Sequence, residues 1–356
     1  MNFTTSQNAD SPLKAAVGAQ DQENNNLRSK APVFVLGCPR SGTTVLYHML
    51  LSAGNFAVYR AESNVFSVLQ PRFGNLKSKR NRDQLLSHWL RSELFLRTGL
   101  DAEATRKEID GSCRSAGDFL RIVMEAIARQ QGVERWADCT PDHLLYIRQI
   151  KREIPNALIV HIIRDGRDVA LSYAKQGWAY PLPWDRNEQL SVAGLFWRWI
   201  VNRARMSGRL LGPDYYELHY EDLVERPRET LAALGRFVGQ ELDHEDIQRT
   251  AIGSVSQPNS SFGSDAGGGF QPVGRWRKQM SEKQVADVES LIGDFLKDLA
   301  YPLFSNQSSS TLRASRLRAT YGFWFSTRHW LKSATPLGRL TRIGRMGMLD
   351  SESSAR

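Results

Sequence analysis

Between the apolar run Val33-Phe34-Val35-Leu36-Gly37 and the segment Thr43 to Gly54, this chain places Gly37-Cys38-Pro39-Arg40-Ser41-Gly42-Thr43-Thr44. A short run that is apolar at every position reads as a strand buried on both faces. Val45, Leu46, Met49 and Leu50 then share one face of a helix that Gly54 ends. The unit recurs in ALIVHIIRDGRDVALSYAKQG, with a buried-type strand from Leu158 to Ile163 and a helix from about Asp168 to Lys175. Strands of this kind that feed directly into helices imply a parallel sheet covered on both sides. The expected fold is α/β: a P-loop-like parallel sheet flanked by helices on both faces, with a helical insertion and a C-terminal tail.

Further elements fill this frame. Residues 81–131 are mostly helical in pattern, a helix from about Asn187 to Leu211 carries Leu195, Phe196, Trp199 and Ile200, and Tyr215 to Tyr220 reads as a third strand. Pro227 opens a helix, as proline in a first turn does. Ser256 to Gly274 is a Gly/Ser/Pro-rich loop, longer than a simple connector needs to be.

The loop between first strand and first helix aims backbone N–H groups and the positive end of a helix dipole at one point, which makes an anion site. Against the Walker pattern G-x-x-x-x-G-K-[ST], both glycines match, but Thr43 stands where the lysine belongs. A magnesium-dependent NTPase needs that lysine, so the loop predicts a shorter anion held without a metal. Arg40 supplies the cation, and its fork can bond two oxygens of a phosphate or sulfate together. The plain alternative is a glycine turn packed on a helix with no ligand. Arg164 at the end of the second strand, and Ser172 eight positions on, point to a second phosphate near the same sheet edge. Arg167 and Asp168 read instead as members of a local salt-bridge cluster.

Three scattered cysteines, Cys38, Cys113 and Cys139, exclude a disulfide framework, and no His/Cys group has zinc-ligand spacing. The net charge of +9 suggests nucleic acid until it is located. From Thr311 to Arg356 nine Lys/Arg face two acidic residues, so seven of the nine net charges sit in the tail, and the body predicts no nucleic-acid partner. Residues 1–30 are polar and predict a disordered N-terminal arm; residues 31–303 form the body, and residues 304–356 a basic, aromatic-containing tail. No apolar stretch has the length of a membrane span, and the N-terminus lacks an apolar signal core, so the expected location is cytoplasmic. In the tail, Tyr321, Phe323, Trp324, Phe325, Trp330 and Leu331 alternate with basic residues. That pattern predicts either peripheral contact with an anionic membrane or docking on the body.

PRSGTT at Pro39 to Thr44 resembles the 5′-phosphosulfate loop of sulfotransferases that use 3′-phosphoadenosine 5′-phosphosulfate (PAPS). RDGRDVALSY at Arg164 to Tyr173 resembles their 3′-phosphate motif, and HYEDLVERP at His219 to Pro227 and VGRWRK at Val273 to Lys278 are similar to later segments. The motif style is closest to bacterial and tyrosylprotein-type members. The resemblance implies PAPS as donor, PAP (3′-phosphoadenosine 5′-phosphate) as product, no metal, and a hydroxyl-bearing acceptor: a glycan, peptide, lipid or metabolite. It implies that Arg40 with Ser41, Gly42, Thr43 and Thr44 holds the 5′-phosphosulfate, Arg164 with Ser172 the 3′-phosphate, and that Tyr220 and Arg275 contact the nucleotide. Glu62 resembles the glutamate general base of tyrosylprotein-type members, with Arg40 as its catalytic cationic counterpart; a carboxylate suits the role because the attacking hydroxyl must lose its proton.

One departure stands out. Many relatives have lysine before the Thr-Pro or Asp-Pro step of the segment that reads Asp138-Cys139-Thr140-Pro141 here, and a neutral thiol cannot neutralise a leaving oxygen. Arg40, Arg277 or Lys278 then substitutes, or the chain is a nucleotide-binding module with little turnover; a P-loop kinase-like phosphotransferase is the other alternative. His143 is the reserve base, while His161 and His48 read as structural.

Overall fold

The computed structural model describes residues 26–256, 272–304 and 312–340. Strand β1 (Val33–Leu36) leads through the glycine loop into α1 (Thr43–Ser52), one residue shorter at the strand end than the apolar run suggests because Gly37 already turns. Helix α2 (Ala116–Gln131) closes a helical insertion and precedes β2 (Ala137–Asp138). Strand β3 (Leu158–Ile163) feeds α3 (Gly166–Lys175), which begins two residues earlier than its apolar pattern, since Asp165 caps it by accepting from the Arg167 N–H. Then follow α4 (Gln189–Gly208), β4 (Tyr215–His219), α5 (Pro227–Val238), α6 (Glu282–Asp298) and α7 (Leu312–Ala334).

The four strands are parallel in the order β2-β1-β3-β4, with Val33 opposite Leu158 and Leu36 opposite His161. Alternation along the strands divides the interior in two. Val33, Val35, Leu158, Val160 and Ile162 pack with Leu46 and Leu50 of α1 and Leu231 and Leu234 of α5. Phe34, Leu36, Ile159 and Ile163 pack with the other layer: Ile127 of α2, Trp197 and Ile200 of α4, and Ile292 and Phe295 of α6. Helices therefore cover both faces, which explains why the central strands β1 and β3 are buried at every position and apolar at all but His161. His161 lies inside β3, fully buried, with Nδ1 2.6 Å from the Tyr215 hydroxyl; burial pushes its pKa down to about 4, so it is a neutral core residue.

Of the N-terminal arm, residues 1–25 fall outside the described residues; residues 26–30 are helical, and Arg28 donates to the carbonyls of Phe237 and Pro213 at 2.8 Å. The glycine-rich loop, for residues 257–271, and the last tail residues, 341–356, likewise fall outside them. Within the tail, α7 packs on the body: Tyr321 and Phe325 are buried in the second core layer. The Tyr321 hydroxyl donates to Asp185 Oδ2 at 2.9 Å and accepts the Leu182 N–H at 3.0 Å, and Trp199 Nε1 donates to Ser326 Oγ at 3.0 Å. Burying two aromatic side chains contributes a few kcal/mol, enough to hold a helix of this length. Phe323 and Trp330, on the opposite side of the helix, are exposed. Among the described residues no helix is long and apolar enough to cross a membrane.

Candidate functional site

All four strands end at the same edge, and the residue after each begins a functional segment. Gly37 follows β1, Cys139 follows β2, Arg164 follows β3 and Tyr220 follows β4. Ligands of open parallel sheets bind at this carboxyl edge.

The loop after β1 is shaped by two glycines. A Cβ on Gly37 would sit 2.6 Å from the Ile162 carbonyl oxygen, so the loop crosses the neighbouring strand too closely for any side chain. Gly42, at φ 91°, stands at the N-terminus of α1, where a Cβ would lie 2.3 Å from the Tyr220 ring. Arg40 also adopts a positive φ of 75°, a conformation that costs about 1 to 3 kcal/mol in a non-glycine residue. No side chain caps α1, so its first N–H groups remain open to an anion. Ser41 Oγ, also buried, has no hydrogen-bond partner among the described residues.

Three guanidinium groups converge here. Arg40 Nε donates to Ser172 Oγ at 3.0 Å, and its guanidinium lies 5.7 Å from the Trp178 ring centre. Arg164 Nη1 donates to the Arg40 carbonyl at 2.9 Å, and its guanidinium sits 4.8 Å over the Tyr220 ring. Burial lowers the Arg40 pKa, and the charges of Arg164 and Arg275 lower it further. Arg164 also pairs with Asp168 Oδ2 at 3.7 Å, and guanidinium groups gathered at a helix start favour a phosphate-like anion there. The structure thus brings Arg40, Ser41, Gly42, Thr43, Thr44, Arg164, Ser172, Tyr220 and Arg275 to one edge, and the Arg40–Ser172 contact ties the loop after β1 to the helix after β3.

Arg275 owes its place to the cluster after β3. Asp168 accepts from the N–H groups of Gly274 and Trp276 at 2.8 and 2.9 Å, and so clamps the backbone on both sides of Arg275. Arg167 lies 3.8 Å from the Trp276 ring centre and pairs with Asp165 at 2.7 Å and Glu289 at 2.6 Å, all buried. The salt-bridge reading of Arg167 and Asp168 holds, but the cluster also positions the last arginine. Arg277 turns outward over Trp276, at 4.5 Å.

On the other side of the loop lies an acidic corner that the sequence reading missed. Glu62 is pushed up to about 8 by burial, then by the charges of Asp142 and Asp138, with the Asn64 side chain opposing the shift. Asp138 is buried at the end of β2 and Asp142 follows three residues beyond Cys139; no short motif ties either to Glu62. Cys139 is fully buried, and burial followed by the charges of Glu62 and Asp138 keeps it a thiol, with the Thr43 side chain hydrogen-bonded to it. The thiol therefore bridges the anion loop and the acidic corner. His143 is held differently from a base: Nδ1 pairs with Asp138 Oδ2 at 2.9 Å and Nε2 accepts the Phe66 N–H at 3.1 Å. With both nitrogens engaged and the ring buried, it orients Asp138 and supports the turn after Glu62. His48 is buried and accepts the Ser254 N–H at Nδ1, 2.9 Å away.

A cavity of about 580 Å³ opens beside this corner, lined by Ser67, Asp142, Tyr146, Tyr173, Trp178 and Phe196 among others, and walled on one side by Phe325, Arg328 and His329 of α7. Among the described residues no three His, Cys, Asp or Glu side chains are grouped as a metal ion would need. The arrangement can hold two phosphate-sized anions at the sheet edge and an apolar molecule next to a carboxyl group of raised pKa.

The sequence profile of a family described as the Sulfotransferase family matches residues 32–244. An uncharacterized protein of Aquifex aeolicus (strain VF5) is 28% identical over 229 residues, 61% of this chain and 26% of that protein, so the chain spans about a quarter of the length of that relative. Among solved structures, the sulfotransferase domain from the Synechococcus PCC 7002 olefin synthase shares the fold at TM-score 0.53 and 20% identity, covering 76% of this chain and 95% of that one. The sulfotransferase domain from the curacin biosynthetic pathway superposes at TM-score 0.46 and 15% identity, over 77% of this chain and 98% of that one.

Proposed function

The chain belongs to the sulfotransferase family, and from that premise we propose that it transfers the sulfuryl group of PAPS to the hydroxyl of an acceptor seated in the cavity beside Glu62. The observation that carries the reading is the gathering of Arg40, Arg164 and Arg275 around the uncapped start of α1, with Glu62 across Thr43 and Cys139. The 5′-phosphosulfate would rest on the loop N–H groups and Arg40, the 3′-phosphate on Arg164 and Ser172. Tyr220 and Arg275 would frame the nucleotide.

In this mechanism Glu62 takes the proton of the acceptor hydroxyl as its oxygen bonds to sulfur. The bond from sulfur to the bridging phosphate oxygen breaks, and its electron pair leaves with PAP. Transfer depends on in-line positioning and on cations that absorb charge on the leaving phosphate. With a thiol at Cys139, that charge falls to Arg40 and the α1 dipole. The lysine that a phosphotransferase of the Walker type needs is absent, its place taken by a Thr43 engaged with Cys139.

Calorimetric titration tests the donor site. PAP is expected to bind without magnesium and more tightly than ATP with it. Arg40→Ala and Arg164→Ala should each weaken PAP by about ten- to a hundredfold, the worth of a charge-assisted hydrogen bond. Unchanged affinity in both folded variants would refute the site, and a magnesium-dependent preference for ATP would favour phosphoryl transfer.

A further inference from the structure

The cavity beside Glu62 is not chemically uniform along its length. Its floor is made of side chains that are themselves buried: Tyr146, Val192, Ala193 and Phe325. The floor also adjoins Ser67, whose hydroxyl donates to Asn64 Oδ1 at 3.4 Å, two residues from Glu62. Its mouth is open, with Trp178, Tyr180, Leu337 and Leu340 exposed. Asp142, near Glu62, is the sole acidic residue among the described lining residues.

The mouth carries the opposite charge. Arg328 lies 6.0 Å from the Tyr180 ring centre and 5.8 Å from that of Trp324, and Lys332 follows one helical turn later on the same face. Among the described residues neither forms an ion pair. Between them, His329 packs on Tyr146 at 5.3 Å and Trp199 at 6.4 Å, and burial, then Arg203 and Lys332, lower its pKa to about 4, so it adds apolar wall rather than charge. Two unmatched cations at the rim of an aromatic cavity leave a favourable place for an anion whose attached body is apolar.

Resting on the sulfuryl-transfer reading, we infer that the acceptor is an anionic amphiphile, with its hydroxyl toward Glu62, an aliphatic or fused-ring body in the cavity, and a carboxylate, phosphate or sulfate against Arg328 and Lys332. The C-terminal helix then selects the substrate: it supplies one wall of the cavity and both charges of the rim.

The test compares 12-hydroxydodecanoate with its uncharged methyl ester, using quenching of tryptophan fluorescence in the presence of saturating PAP; Trp178 and Trp199 line the wall. Wild type is expected to bind the acid about tenfold or more tightly than the ester, about what one charge-assisted hydrogen bond gives. The pair Arg328→Ala and Lys332→Ala, both at the rim and outside the core, should abolish that preference. No preference in wild type, a preference that survives the double substitution, or no binding of either probe would overturn the inference. PAP affinity measured on the same samples reports the donor site separately: its absence alongside an intact acid preference would defeat the sulfuryl-transfer reading while leaving the anionic rim in place.

Discussion

Replacing Glu62 by glutamine should make the protein more stable and less active, and the stability gain should grow with pH. Burial and the charges of Asp142 and Asp138 raise this carboxyl from 4.5 to about 8. An acid whose pKa is raised on folding keeps its proton longer in the native state, so between about pH 4.5 and pH 8 the folded protein binds more protons than the unfolded chain. Wild-type stability contributed by this group is therefore fully present below pH 4.5, falls as pH rises through that window, and levels off above about 8. At 1.36 kcal/mol per pKa unit the loss is about 2 kcal/mol at pH 6, about 3 at pH 7 and about 5 once the group is ionised in both states. Glutamine keeps the shape of the protonated acid and never ionises. Urea unfolding of the two proteins from pH 5 to pH 9 should therefore show curves that coincide near the acid end and diverge toward the alkaline end. Against a domain stability of about 5 to 15 kcal/mol, the divergence is large enough to read directly. Turnover should move the opposite way, falling by about 10² to 10⁴, because the base is gone. In the wild type, kcat/KM should rise about tenfold per pH unit and flatten near pH 8, following the ionised fraction. Parallel unfolding curves would refute the buried, charge-crowded account of Glu62, and wild-type turnover in the variant would remove it as the base.

Gly42→Ala should lower PAP affinity and cost about 1 to 3 kcal/mol of stability, because φ is 91° and the new Cβ meets the Tyr220 ring; calorimetry and thermal unfolding check both. Arg167→Ala leaves Asp165 and Glu289 buried without their cation, so urea unfolding should show a loss of about 3 to 5 kcal/mol, with weaker PAP binding through displacement of the segment around Arg275. Cys139→Lys places a cation beside Glu62 and Asp138, so the midpoint of the pH–rate profile should move below about 8; an unmoved midpoint would show that residue 139 does not act on the Glu62 charge.

Two strand–turn–helix units were legible in the sequence because their signals are local. The apolar runs at Val33 and Leu158, the glycines at 37 and 42, and the arginines closing each turn depend only on neighbours a few residues away, and the sheet edge then has one way to face. The two-residue strand Ala137–Asp138 gave no such signal; it exists because β1 offers it an edge. Glu62 was visible as a carboxylate after the first helix, but its raised pKa comes from burial and from two aspartates some eighty residues away in sequence, a sum over neighbours that spacing cannot express. The same holds for His143, a free base on paper until Asp138 and the Phe66 N–H take both of its nitrogens. In the tail, aromatic and basic residues at helical spacing suit a membrane and a protein surface equally well, since both reward burying rings with charges at the rim. Only the packed helix shows which of them do what in the fold: Tyr321 and Phe325 turn into the core, while Arg328 and Lys332 stand at a cavity mouth.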